Sequence, residues 1–204
     1  MAKLKICGLT RTQDVEAVNA VLPEYIGFVF APSRRRVTPK QAAALAEGLH
    51  PAIKKVGVFV NEAPQSILNL VHAGSIDVIQ LHGDEDAAYL RELHKHTQVP
   101  LIKAVRVQSA EQVWAAAKLP CEFLLLDTYT KGVYGGSGKP FDWRVIPAIT
   151  KPFFLAGGLD AENIKTALTE CKPYAVDISS GVESEGLKDK TKIITIAELV
   201  RSVE

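Results

Sequence analysis

The sequence predicts a single-domain α/β protein, a (β/α)8 barrel of the TIM-barrel kind spanning residues 1 to 204, and three observations carry that reading. Eight short apolar runs recur along the chain. Their hydrophobicity is continuous rather than alternating, as in parallel strands buried on both faces. Their starts fall about 22 to 30 residues apart, the length of one strand and helix unit. An open, doubly wound sheet is the alternative. The barrel is preferred because the first and last runs are as apolar as the middle ones, whereas an open sheet usually has poorer edges.

In chain order, "KLKIC" (3 to 7) is followed by the amphipathic "TQDVEAVNAVL" (12 to 22), and "YIGFVF" (25 to 30) by "TPKQAAALAEGL" (38 to 49). Thr38 before Pro39 marks a helix start, since its hydroxyl satisfies free backbone N–H groups and proline has no N–H to lose. "KVGVFV" (55 to 60) precedes "APQSILNLVHA" (63 to 73), and "DVIQL" (77 to 81) precedes "DEDAAYLRELHKH" (84 to 96). The second half repeats the count. "PLIKAV" (100 to 105) leads to "SAEQVWAAAKL" (109 to 119), and "EFLLLD" (122 to 127) to "FDWRVIPAI" (141 to 149). "PFFLAG" (152 to 157) leads to "DAENIKTALTEC" (160 to 171), with Asp160 as its expected cap, and "YAVDIS" (174 to 179) to "KDKTKIITIAELVRSV" (188 to 203). Trp114 and Trp143 are expected to pack helices on the barrel. The Gly-rich "KGVYGGSGK" (131 to 139) lies inside one unit and reads as a mobile loop, a cover over substrate.

Composition narrows the function. A net charge of +1 spread over mixed acids and bases argues against a nucleic-acid binder and for small-molecule work. The N-terminus lacks the apolar core of a signal peptide, and no apolar run approaches the roughly 18 residues of a membrane span, so a cytoplasmic protein is expected. Three distant cysteines, Cys7, Cys121 and Cys171, should be reduced thiols. "GGSGK" fails as a P-loop twice, with Val133 where the first glycine belongs and Pro140 after Lys139. His94 and His96 are two apart and do not share a helix face, and no H-E-x-x-H occurs, so no metal is expected.

In such barrels the working residues sit at the carboxyl ends of the strands and in the loops that follow. Cys7 ends strand 1, Arg35 follows strand 2, His82 ends strand 4, Asp127 ends strand 6 and Asp177 lies near the end of strand 8. Cys121 and Cys171 fall on the other side. Cys7 has two readings, a small buried hydrophobe or a base or nucleophile whose pKa falls from about 8.5 toward neutrality. Asp127 ends four apolar residues, where an acid is expensive unless it is hydrogen-bonded or functional. Together they would offer a proton acceptor and a proton donor on one rim, the layout of an isomerase. His82 is either a substrate contact or a hydrogen-bonded structural imidazole. The "SRRR" cluster (33 to 36) is either a solvated charge run or the site of a substrate anion. "AGGLD" (156 to 160) and "SSGVE" (179 to 183) follow strands 7 and 8, where barrels commonly bind phosphate, which makes Gly157, Gly158, Ser180 and Gly181 candidates.

Eight stretches, "KICGLT", "GFVFAPSRRRVTP", "VGVFVN", "QLHGDE", "LLDTYT", "YGGSGKPFDW", "LAGGLDAENI" and "AVDISSGVE", run in order from residue 5 to residue 183. They resemble the phosphoribosylanthranilate isomerases of tryptophan biosynthesis. The resemblance implies an Amadori rearrangement of N-(5-phosphoribosyl)anthranilate to 1-(2-carboxyphenylamino)-1-deoxyribulose 5-phosphate, with no cofactor, by a monomer or homodimer. It implies Cys7 as general base, Asp127 as general acid and Arg35 as the carboxylate contact, with Arg34 and Arg36 as neighbours that compete for that role. His82 and Asp177 are expected at the substrate, and Gly8 is expected to leave room for the sugar. Two rivals are another sugar-phosphate barrel, such as a histidine-pathway isomerase or indoleglycerol-phosphate synthase, and a noncatalytic phosphosugar-binding domain. Cys7 in place of a carboxylate at the end of strand 1 speaks against the histidine-pathway enzyme, and the presence of both Cys7 and Asp127 speaks against the noncatalytic domain.

Overall fold

The computed structural model describes residues 1–129 and 141–203. The segment 131 to 139, read from the sequence as a covering loop, lies outside the described residues. Eight strands form the centre: β1 (Lys3–Cys7), β2 (Tyr25–Val29), β3 (Lys54–Phe59), β4 (Val78–Leu81), β5 (Leu101–Val107), β6 (Phe123–Thr128), β7 (Phe153–Leu155) and β8 (Ala175–Ile178). Each pairs in parallel with its sequence neighbours, and β8 pairs with β1, Lys5 opposite Asp177, so the sheet closes. Closure removes both edges, which is why the first and last strands are as apolar as the rest.

Seven α-helices among the described residues pack outside: α1 (Thr12–Val21), α2 (Pro39–Glu47), α3 (Pro64–His72), α4 (Ala87–His96), α5 (Ala110–Ala117), α6 (Ile164–Cys171) and α7 (Lys190–Arg201). Thr38 caps α2 as expected, accepting from Gln41 N while the Gln41 side chain accepts from Thr38 N. Two expectations change. The stretch 141 to 149 gives only a 3-10 turn at Trp143–Val145, because Pro147 has no N–H to donate and holds Ile146 extended. Asp160 accepts from Glu162 N and Asn163 N, so it closes a turn ahead of α6, whose cap is Asn163.

Strand alternation divides the apolar residues into two cores. Residues such as Ile6, Phe28, Ile79 and Leu126 face the helices and form the larger core, whereas Tyr25, Val56, Leu125 and Phe154 fill the barrel interior. Trp143 packs against the outer core. Trp114 does not; it is half exposed, one residue past the buried Val113 and so about 100° away around α5. After β8 the chain makes a small antiparallel hairpin, β9 (Glu183–Ser184) with β10 (Leu187–Lys188), before α7.

Candidate active site

A cavity of about 330 Å³ opens at the carboxyl ends of the strands. Cys7, Arg35, His82, Asp127, Asp177, Gly157, Gly158 and Ser180 all border it, so residues spread over most of the chain length meet in one place.

Cys7 is buried at the end of β1. A methyl group on Gly27, its partner on β2, would lie 2.6 Å from Cys7 Sγ, so the missing side chain of Gly27 is what accommodates the thiol. Gly8 serves differently from the sequence expectation. Its backbone has φ +87°, and a side chain there would strike Arg35 Cδ, so it leaves room for Arg35 rather than for sugar. Two residues below Cys7, fully buried Lys5 pairs with Asp177 Oδ2 at 2.8 Å. Burial pulls the Lys5 ammonium down, but Asp177 and Cys7 outweigh it and hold the group above its ordinary value. Burial pushes the Cys7 thiol up; Lys5 and Lys188 pull it back and Asp177 adds to the rise, leaving the net shift upward. That direction is opposite to the fall toward neutrality which the base reading calls for, because the loss of water outweighs the nearby cations. Asp177 Oδ1 is buried with no hydrogen-bond partner among the described residues.

Asp127 is the last residue but one of β6, where its Oδ1 accepts from Thr128 N at 2.7 Å. A side chain on Gly157 would come within 2.9 Å of that oxygen, so the β7 loop can press on the carboxylate only as glycine. His82 Nε2 lies 3.2 Å from Asp127 Oδ2, and His82 Nδ1 lies 3.0 Å from Gln80 Nε2. His82 thus borders the cavity and is tied into the protein on both sides of its ring. Its loop is fixed from below by a buried pair, Lys103 Nζ to Glu85 Oε2 at 2.8 Å, with Lys103 also donating to Gly83 O and Glu85 accepting from Asn61 N and Gly83 N.

Of the three arginines, Arg35 borders the cavity and Arg34 and Arg36 do not. Arg35 donates through Nε and Nη2 to Glu183 Oε1 and Oε2 at 2.7 and 2.9 Å. Arg34 and Lys188 reach the same carboxylate at 2.6 and 2.8 Å. Burial alone would push the Glu183 carboxyl up, but hydrogen bonds from Arg35 and Lys188 hold it below the usual carboxylate range. Three cations on one carboxylate leave this rim net positive, suited to an anion.

The β7 and β8 loops lie against each other. Gly157, Gly158, Ser179 and Ser180 border the cavity, while Gly181 stands behind it, where a side chain would strike the Leu159 carbonyl oxygen. Sequence reasoning missed Lys5, Gly27, Gln80, Lys103, Glu183 and Lys188. Two of them carried a signal, because a lysine inside the apolar runs "KLKIC" and "PLIKAV" is as costly to bury as Asp127. Among the described residues no group of three or more His, Cys, Asp or Glu could hold a metal ion, and no helix is long and apolar enough to cross a membrane.

Comparison with known proteins adds a family to this geometry. Residues 4–199 match the family model described as N-(5'phosphoribosyl)anthranilate (PRA) isomerase. A curated N-(5'-phosphoribosyl)anthranilate isomerase of Endomicrobium trichonymphae is 45% identical over 203 residues, covering 100% of both chains. The crystal structure of phosphoribosyl anthranilate isomerase from Thermotoga maritima superposes with a TM-score of 0.86 at 35% identity, covering 100% of both chains. A further solved phosphoribosyl anthranilate isomerase, in complex with reduced 1-(o-carboxyphenylamino)-1-deoxyribulose 5-phosphate, superposes with a TM-score of 0.83 at 32% identity over 100% of both chains.

Proposed function

The chain belongs to the N-(5'-phosphoribosyl)anthranilate isomerase family of tryptophan biosynthesis, and we propose that it rearranges N-(5-phosphoribosyl)anthranilate by an Amadori mechanism with Asp127 as acid and Cys7 as base. One observation carries the reading: a thiol from β1 and a carboxylate from β6 face a single cavity whose rim is cationic.

Protonated Asp127 gives its proton to the furanose ring oxygen. The bond from that oxygen to C1′ breaks, and the anthranilate nitrogen lone pair forms the C=N bond of an iminium ion. The positive nitrogen acidifies the hydrogen on C2′, which Cys7 removes as a thiolate. The electron pair moves into a C1′=C2′ bond and neutralises the nitrogen, and the enolamine tautomerises to the ketose. Burial makes the Cys7 thiolate scarce but strongly basic, and Lys5 supplies the positive charge that a thiolate at this depth needs. These steps need no cofactor.

Arg35 is the proposed contact for the anthranilate carboxylate, because it alone of the three arginines borders the cavity. Asp177 Oδ1, buried and unmatched among the described residues, suits a sugar hydroxyl. The phosphate is assigned to the gap between Gly157–Gly158 and Ser179–Ser180, where close backbone approach is possible. With reduced thiols and a diffusible substrate, the work belongs in the cytoplasm.

The test is the decay of anthranilate fluorescence with phosphoribosylanthranilate generated in situ. Wild-type protein is expected to quench it, and Cys7→Ala and Asp127→Asn each to lose about 10²- to 10⁴-fold in kcat. Wild-type binding without turnover would leave the phosphosugar-binding reading in its place.

A further inference from the structure

Gln80 has no part in the chemistry above, yet it begins a chain of three side chains that ends on the acid. It is 1% exposed, and its Nε2 reaches His82 Nδ1, whose ring in turn reaches Asp127 Oδ2. An amide NH2 group only donates, and a neutral imidazole has one donor and one acceptor. Facing NH2, Nδ1 must accept. This arrangement puts the ring proton on Nε2, so that His82 donates to Asp127.

The other end of the amide is enclosed. Gln80 Oε1 is buried with no hydrogen-bond partner among the described residues. The His82 backbone is held as well, its N–H donating to Phe59 O at 2.8 Å above the Lys103–Glu85 pair.

We infer that Gln80 is a positioning residue for the proton transfer, locking His82 in the Nε2–H tautomer so that a fixed donor meets the Asp127 carboxylate as it forms. This rests on the assignment of Asp127 as the acid. A donor already in place needs no reorientation when the proton leaves, which is how preorganised dipoles lower a barrier. Without Gln80 the Nδ1–H tautomer becomes available. Its bare Nε2 then accepts from the Asp127 O–H and holds the proton back. The other titratable or charged groups bordering the cavity are Cys7, Arg35 and Asp177, with Lys5 paired to Asp177 and Glu183 to Arg35; none is within the hydrogen-bonded chain.

The experiment combines Gln80→Met, which keeps volume and removes both amide groups, with ¹⁵N NMR of the His82 ring. In unliganded wild type the ring is expected as Nε2–H with Nδ1 bare; an Nδ1–H tautomer or an imidazolium overturns the inference, whether or not the variant folds. In Gln80→Met, kcat is expected to fall about tenfold with KM little changed. A folded variant with kcat unchanged, or with KM raised as much as kcat falls, also overturns it. Asp127→Asn separates the two readings. If it kills turnover while Gln80→Met leaves kcat in place, only the tautomer inference fails; if Asp127→Asn turns over, the acid assignment itself falls.

Discussion

The two ends of the barrel interior are built from the same strands and differ in almost every respect. At the amino end Tyr25, Phe123, Phe154 and Tyr174 form an aromatic plug, with ring centroids 4.8 to 5.7 Å apart. The Tyr25 and Tyr174 hydroxyls meet at 3.1 Å, and Lys3 donates to Tyr174 at 2.7 Å. At the carboxyl end the interior is a cavity whose largely apolar lining, Val29, Val58 and Val60 among it, carries the polar groups of the site. Moving up two residues along each of three strands makes the change: Tyr25 of β2 gives way to Gly27, which faces Cys7, Phe154 of β7 to Ala156, and Leu125 of β6 to Asp127. Large side chains that fill space stabilise the closed sheet, and small ones above them leave room for a ligand. Between the two, the Lys5–Asp177 pair keeps a buried charge matched at the floor of the site.

That division can be broken from either end. Phe154→Ala should remove about 3–5 kcal/mol of stability, read by urea unfolding, while the folded protein keeps its kcat. A fall in kcat of the same size would mean that the plug and the site are not separate. Gly27→Ala crosses the boundary, since its methyl group meets Cys7 Sγ. It should cost about 1–3 kcal/mol and also lower kcat by displacing the thiol.

Smaller effects sharpen the picture at the rim. Glu183→Gln loosens Arg35, so KM is expected to rise about tenfold with kcat nearly unchanged. The same variant should flatten the acid side of the stability profile. Because the Glu183 carboxyl is held low, its contribution is present above the ordinary carboxylate range and is lost as pH falls through its folded value. Cys7 has the opposite sign. Its thiol is raised, so its contribution is complete below about pH 8.5 and is lost as pH rises through the folded value. Thermal melts of Cys7→Ala should lack that alkaline decline.

Much of this was legible along the chain. Spacing and continuous hydrophobicity gave eight parallel strands, and strand ends gave Cys7, His82, Asp127 and Asp177, because a barrel exposes the carboxyl end of every strand on one face. Seven helices were likewise readable. The eighth was not, since its amphipathic pattern hid the effect of Pro147 on the backbone before it. Trp114 misled for a related reason: an aromatic residue reads as core from type alone, but its position on α5 turns it to solvent.

The sequence by itself determined the elements, the closed barrel and the strand-end residues of the candidate site, because these follow from local periodicity and from the direction of the chain. Only the tertiary structure decided the partners. That Glu183 holds Arg35, that Gly27 makes space for Cys7, that Gly8 admits Arg35 and that Gln80 reaches Asp127 through His82 all depend on side chains far apart in sequence or on opposite walls. The state of the thiol was decided there as well. Burial at the floor of the cavity and the charges of Lys5, Lys188 and Asp177 act through space, so no reading of "KLKIC" alone contains their sum.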